Sequence, residues 1–146
     1  MYKILLATDG SDHSKKVVEK GLVIAESLNA EVTVLTVVGE YVFSPRVSVQ
    51  FSDDNWQTIN KHLKEEADGV VEEAARPFRE KGLITHTEVV MGHKSPADAI
   101  CDMAREGKFD LIILGSRGLR GIQEMFLGSV SNRVAHMGCS SVLIVK

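Results

Sequence analysis

The chain is short of cysteine, proline, aromatic side chains and positive charge, and each shortage removes a class of protein. Cys101 and Cys139 are its only two cysteines, with no CxxC pair and no histidine at ligand spacing. This excludes a disulfide-dense secreted scaffold and a thiolate metal site. Both thiols are expected as small, reduced, core or near-surface residues of a cytoplasmic protein. Three prolines leave long stretches free of breakers. Seventeen Lys and Arg against twenty Asp and Glu give a formal net charge of −3 and a pI near 5.9. That balance argues against a nucleic-acid binder relying on general basicity. No apolar run approaches the roughly 20 residues that span a bilayer, so no membrane partner is expected. Met1 is followed at once by strand-like sequence, and no secretory leader is expected. Internal repeats and low-complexity tracts are absent as well.

What remains is an ordinary globular composition, 44% apolar and 25% charged. A chain of 146 residues is expected to form a single domain over 1–146. At that size a domain buries roughly 70% of its unfolded surface and needs no staple. Five β-branched, apolar runs read as buried parallel strands: YKILLAT (2–8), AEVTVLTVV (30–38), THTEVVM (85–91), FDLIILG (109–115) and SSVLIVK (140–146). Helical spacing fills the gaps. Val18, Leu22, Ala25 and Leu28 form one stripe, and Trp56, Ile59, Leu63, Ala67, Val70, Ala74 and Phe78 form a longer one. Pro77 is expected to kink or fray the end of the long helix. SPAD at 95–98 reads as a helix start, with Ser95 as cap, Pro96 in the first position and Asp98 at the positive end of the dipole. Ala97, Ile100, Cys101 and Ala104 make its buried stripe. A last helix runs from about Ser129 to Met137 through Val130 and Val134, with Gly138 as its stop.

Alternating strands and helices predict an α/β fold, a doubly wound parallel sheet with helices on both faces. Ligands of such sheets sit beyond the carboxyl ends of strands where the strand order reverses. Two orders, 2-1-3-4-5 and 3-2-1-4-5, are common for five strands. The second sets ATDGSDHS, after the first strand, beside GSRGLRG, after the fourth. These are the most polar, glycine-bearing strand exits in the chain, and their pairing favours that order. The long connection 39–55, GEYVFSPRVSVQFSDDN, is a functional loop or a variable surface loop.

The two exits suit a nucleotide. Gly115 and Gly118 let backbone N–H groups converge on an anion. Gly128 and Ser129 open the last helix, whose first N–H groups carry about half a positive charge. Ser129 and Ser131 offer hydroxyl donors, Arg117 and Arg120 can neutralise phosphates, and Asp9 can accept hydrogen bonds from ribose. Each residue also has a plainer reading, as turn, N-cap or helix cap, and short glycine motifs often match by chance. It is their coincidence at one switch point that favours a ligand.

Gly115, two residues, Gly118, nine residues, then Gly128-Ser129 make a G-x2-G-x9-G-[ST] pattern. It resembles the ATP-binding signature of the universal stress protein family. The likeness extends through ILLATDGSDHS, AEVTVLTVV, GHKSPADAI and the SSVLIVK ending. The resemblance implies a Rossmann-like sheet of order 3-2-1-4-5 and bound ATP or AMP, with Mg2+ left open for ATP. ATP bound this way is expected to act as a nucleotide-dependent stress-response switch. By position it implies Ala7, Thr8 and Asp9 on the adenosine side and Val37 against adenine through its backbone. Leu114, Gly115, Arg117, Gly118, Gly128, Ser129, Val130 and Ser131 would hold the phosphates and the adjoining nucleotide surface. Arg117 stands where ATP-binding members often have histidine. The resemblance also implies a homodimer through the last strand, 140–146, which agrees with the need to cover an apolar edge. A further protein partner would read the switch.

No catalytic residue and no metal site is assigned. GSRGLRG lacks the Walker lysine, and no acidic pair or base for water stands out. Asp12 and His13 are expected to cap and solvate the first helix, His93 to face solvent, and His62, His86 and His136 to lack partners. Binding with little or slow hydrolysis or autophosphorylation is expected. An ATP pyrophosphatase fits less well, because Asp9 occupies a position where the SGGxDS loop has a small residue. A phospho-receiver is argued against by VVMGHKS, which has no Asp at the third strand's exit. A nucleotide-free dimeric interaction module stays open, opposed by the intact glycine spacing.

Overall fold

β-Branched runs alternating with helical stripes give five strands and four helices among the described residues. The structure, a computed structural model, describes residues 1–38, 53–92, 95–117 and 128–146, with 53–56 through their backbone only. In chain order the elements are β1 (Lys3–Ala7), α1 (Ser14–Leu28), β2 (Glu31–Val38), α2 (Asp53–Glu80), β3 (Thr85–Met91), α3 (Pro96–Glu106), β4 (Leu111–Gly115), α4 (Ser129–Met137) and β5 (Ser141–Val145). All neighbouring strands pair in parallel, in the order β3-β2-β1-β4-β5. Of the two orders compatible with the sequence, this is the one that sets the β1 and β4 exits side by side.

Successive strand residues face opposite ways, and the core divides accordingly. Ile4 and Leu6 of β1, Val32 and Val34 of β2 and Ile113 of β4 pack with Val17 and Ala25 of α1 and Val71, Ala75 and Phe78 of α2. Leu5, Leu35, Ile112 and Leu114 pack on the other face with Ala97, Ile100, Cys101 and Ala104 of α3 and Val134 of α4. β1, central and buried on both faces, therefore reads as an unbroken apolar run.

The helix ends follow their local chemistry. At α3 the Ser95 hydroxyl accepts the Asp98 N–H at 3.2 Å, and Pro96 fills the first turn. Gly138, at φ 59°, closes α4 in the left-handed region. Two stripes are rotated from the sequence expectation. α1 buries Val17, Gly21 and Ala25, whereas Leu28 is 48% exposed. α2 buries Ala67, Val71, Ala75 and Phe78, and it runs past Pro77 to Glu80. The Trp56 side chain lies outside the described set.

The cysteines depart furthest from expectation. Cys101, in the middle of α3, and Cys139, just after α4, form a disulfide with their Cα atoms 5.4 Å apart. The expectation of two separate reduced thiols is overturned. The reason is tertiary: α3 and α4 lie together on one face of the sheet, which brings residues 38 apart into contact. Among the described residues no helix is long and apolar enough to cross a membrane.

Candidate site at the β1 and β4 exits

β1 and β4 are hydrogen-bonded neighbours, with Ile4 beside Leu111 and Leu6 beside Ile113. Their exits therefore open next to each other at the carboxyl edge of the sheet, where the strand order reverses. On the β1 side the chain is tied to β2. The Thr8 N–H donates to the Leu35 carbonyl at 2.9 Å, and the Thr36 hydroxyl donates to the Thr8 carbonyl at 2.8 Å. Ala7 and Asp9 are half-buried, and Thr8 is buried. Asp9 Oδ1 accepts the Ser11 N–H at 2.9 Å, so one carboxylate oxygen closes a turn at the mouth of the crevice. Val37, in the last turn of the β2 ladder before its exit, is half-buried.

On the β4 side, Leu114 is buried and Arg117 is exposed. The chain leaves at Ser116 and returns at Gly128, whose N–H donates to the Ser116 carbonyl at 2.7 Å. A Cβ on Gly128 would stand 2.9 Å from that carbonyl oxygen. The absence of a side chain at Gly128 thus lets the start of α4 rest on the backbone at the end of β4. Among the described residues no side chain caps α4. The first N–H groups of a helix have no partner within it and present the positive end of its dipole. Ser129 is exposed and Val130 half-buried. Ser131 is buried, and its hydroxyl donates to the Gly128 carbonyl at 3.0 Å, which directs that proton into the chain.

His13 ties the two sides together. It precedes α1, but its side chain caps nothing there. Nε2 instead lies 3.0 Å from the Val145 carbonyl oxygen, which also accepts the Ser116 N–H at 2.8 Å. A carbonyl only accepts, so Nε2 carries the proton. The ring rests against Gly115, where a Cβ would meet its Cδ2 at 2.9 Å. The expectation that His13 caps and solvates α1 gives way to a link between the β1, β4 and β5 exits. No sequence signal pointed to that role, because the hydrogen bond joins residues 132 apart.

Ala7, Thr8, Asp9, Leu114, Gly115, Arg117, Gly128, Ser129, Val130 and Ser131 thus stand at neighbouring strand exits, with Val37 one strand away. Gly118 lies outside the described residues, as do Arg120, Gly121, His93 and positions 39–52 of the long connection. His62 and His136 are exposed. His86 has a partner after all, with Nε2 3.2 Å from Glu31 Oε1. A separate open cavity of about 400 Å³ lies at the exit of edge strand β3, against Asn60, Lys61, Lys64, Met91 and Gly92. β2 stands between β3 and β1, so this cavity belongs to a different part of the sheet edge.

The donor set of the crevice fits a nucleotide: an uncapped helix start, an exposed hydroxyl and guanidinium, and a half-buried carboxylate. Comparison with known proteins places the chain among relatives of the same fold. The profile of the family described as "Universal stress protein family" matches residues 1–146. A universal stress protein of Methanocaldococcus jannaschii, MJ0531, is 35% identical over 144 residues, which covers 99% of this chain and 81% of the relative. Among solved structures, protein MJ0577 superposes with a TM-score of 0.84 at 27% identity, covering 99% of this chain and 94% of its own. A universal stress protein solved in complex with cAMP gives a TM-score of 0.68 at 27% identity, covering 99% of this chain and 96% of its own.

Proposed function

The chain belongs to the universal stress protein family, and on that premise we propose that it binds an adenine nucleotide, ATP or AMP, across the β1 and β4 exits. The observation that carries this reading is the joint between Ser116 and Gly128, which sets an uncapped helix start at the exit of β4, beside that of β1. Anions are stabilised at such a helix start by its free N–H groups and dipole. The relative solved with cAMP supports an adenine nucleotide as the ligand class.

In this reading Asp9 accepts hydrogen bonds from the ribose through the oxygen that does not serve Ser11. Ala7 and Thr8 line the adenosine side, and the Val37 backbone meets the adenine edge. Leu114 and Gly115 form the floor beneath the phosphates. The N–H groups of Ser129, Val130 and Ser131, the Ser129 hydroxyl and the Arg117 guanidinium surround the phosphate end, with Gly118 assigned there from its motif position. Mg2+ would accompany ATP and offset its charge. The protein acts in the cytoplasm as a stress-response switch with little or slow hydrolysis, because ATP and AMP present different phosphate surfaces to a protein partner. The outer edge of β5 has no strand partner among the described residues, and a second copy pairs there through 140–146 to close it.

Calorimetric titration of the nucleotide-free protein with MgATP, AMP and cAMP tests this reading. Saturable binding near one site per chain by at least one of them is expected, with GTP weaker. Absence of heat for all three up to millimolar concentration would leave a nucleotide-free dimeric module.

A further inference from the structure

The disulfide between Cys101 and Cys139 has no part in the nucleotide site, and its surroundings suit a bond that opens and closes. Cys101 is fully buried among Ile100, Ala104, Leu114 and Val134. A reduced thiol is at home in such a place, as a small apolar group. Cys139 is half-buried in the short turn between Gly138 and β5, and is the less buried of the two. The helices it bridges are also joined by Arg133, whose Nη2 lies 3.1 Å from Asp98 Oδ1, and by the apolar cluster that holds Ile100, Ala104 and Val134. Arg105 follows Cys101 by one helical turn, and its guanidinium lies 3.5 Å from the Met137 carbonyl, two residues before Cys139. That cation sits at the carboxyl end of α4, where positive charge is favoured.

We propose that Cys101 and Cys139 form a reversible oxidation site, closed by a peroxide and reopened by a dithiol reductant. Hydrogen peroxide transfers one oxygen to the Cys139 thiolate as its O–O bond breaks, giving a sulfenic acid, and the other oxygen leaves as water. The Cys101 sulfur then attacks that sulfur, the S–S bond forms, and the second oxygen departs as water. Together two thiols lose two electrons and two protons, and one peroxide takes them up to give two waters. A dithiol reverses the step by exchange, becoming a disulfide itself. In the cytoplasm, the location proposed above, disulfides are mostly of this transient, sensing kind.

The test uses the full-length protein, reduced with dithiothreitol under native conditions, desalted, and exposed to hydrogen peroxide. Intact mass and iodoacetamide labelling are read at each stage. The proposal expects peroxide to remove the mass of two hydrogens within one chain and bring labelling of Cys139 to background. Dithiothreitol is expected to restore both. In Cys101→Ala, Cys139 is expected to yield a sulfenic acid trapped by dimedone. A bond that resists dithiothreitol in the folded protein would overturn the proposal, as would peroxide that leaves the thiols unlinked or joins separate chains. The wild-type mass decides the matter even if the variant does not fold. A nucleotide titration plays no part in it, so failure of the nucleotide reading stays separate.

Discussion

Gly115 carries no side chain because His13 occupies its place: a Cβ there would stand 2.9 Å from His13 Cδ2 and 3.2 Å from Val17 Cγ2. The glycine thus serves a contact within the chain, between the end of β4 and the residue preceding α1. Replacing it with alanine overpacks a fixed joint, and overpacking of this kind costs about 1–3 kcal/mol. Gly115→Ala is expected to lower the urea midpoint accordingly. In the double variant with His13→Ala the ring is gone, so the combined loss should be smaller than the sum of the two single losses. Strict additivity would show that the ring and the glycine do not meet.

Gly128 poses a harder case, because its neighbour is the Ser116 carbonyl oxygen, 2.9 Å from where a Cβ would be. Backbone cannot swing aside as a flexible side chain does. Gly128→Ala is expected to lose about 1–3 kcal/mol and to move the start of α4. Since the proposed phosphate contacts begin there, nucleotide affinity should fall by about tenfold or more, the equivalent of about 1.4 kcal/mol. Equal affinity in a folded variant would remove α4 from the binding site.

Glu72 provides a pH-dependent marker away from the site. The hydrogen bond from Arg79 and then that from Thr87 hold its carboxyl below the ordinary value. A carboxylate with a lowered folded pKa contributes stability above its unfolded pKa and loses it as pH falls through the folded one. Wild type should therefore exceed Glu72→Gln slightly at neutral pH, and the gap should close as the solution is acidified below the carboxylate range. A gap that widens in acid, measured by urea unfolding across pH, would contradict the assignment.

Opening the disulfide should be visible in thermal stability. The cysteines are 38 residues apart, and chain-entropy arguments give such a cross-link up to about 4 kcal/mol through the unfolded state. For a domain of this length that corresponds to a rise of roughly 13 °C at most, with several degrees expected. Scanning calorimetry of oxidised and dithiothreitol-reduced protein should show the oxidised form melting higher. Equal melting temperatures would place no constraint from the bond on the unfolded chain.

The order of the elements was legible because it rests on local patterns. The strands at Lys3–Ala7 and Leu111–Gly115 stand within runs recognised from β-branched content, and the Ser95 cap and Gly138 stop follow from residue type alone. The rotated stripe of α1 was not legible: Gly21 is buried against Leu6 and Phe78, and hydrophobic periodicity counts a glycine as nothing. Pairings set only by tertiary packing were hidden too. Cys101 with Cys139, His13 with Val145 and His86 with Glu31 join residues whose spacing carries no signal. The glycine spacing pointed to the β1 and β4 exits, and the sheet order sets those exits side by side. Gly115 was expected to make room for an anion, whereas its missing side chain makes room for His13; Gly128 does open α4, and its missing side chain also makes room for the Ser116 carbonyl.

The most direct measurement is an amide-resolved NMR titration of the nucleotide-free protein with MgATP. If the nucleotide sits across the β1 and β4 exits, shifts should concentrate at Thr8, Asp9, Val37, Ser116 and Ser129 to Ser131 and saturate together. Saturation with those amides unmoved, or with shifts gathered around Asn60, Met91 and Gly92 at the β3 exit, would contradict the account.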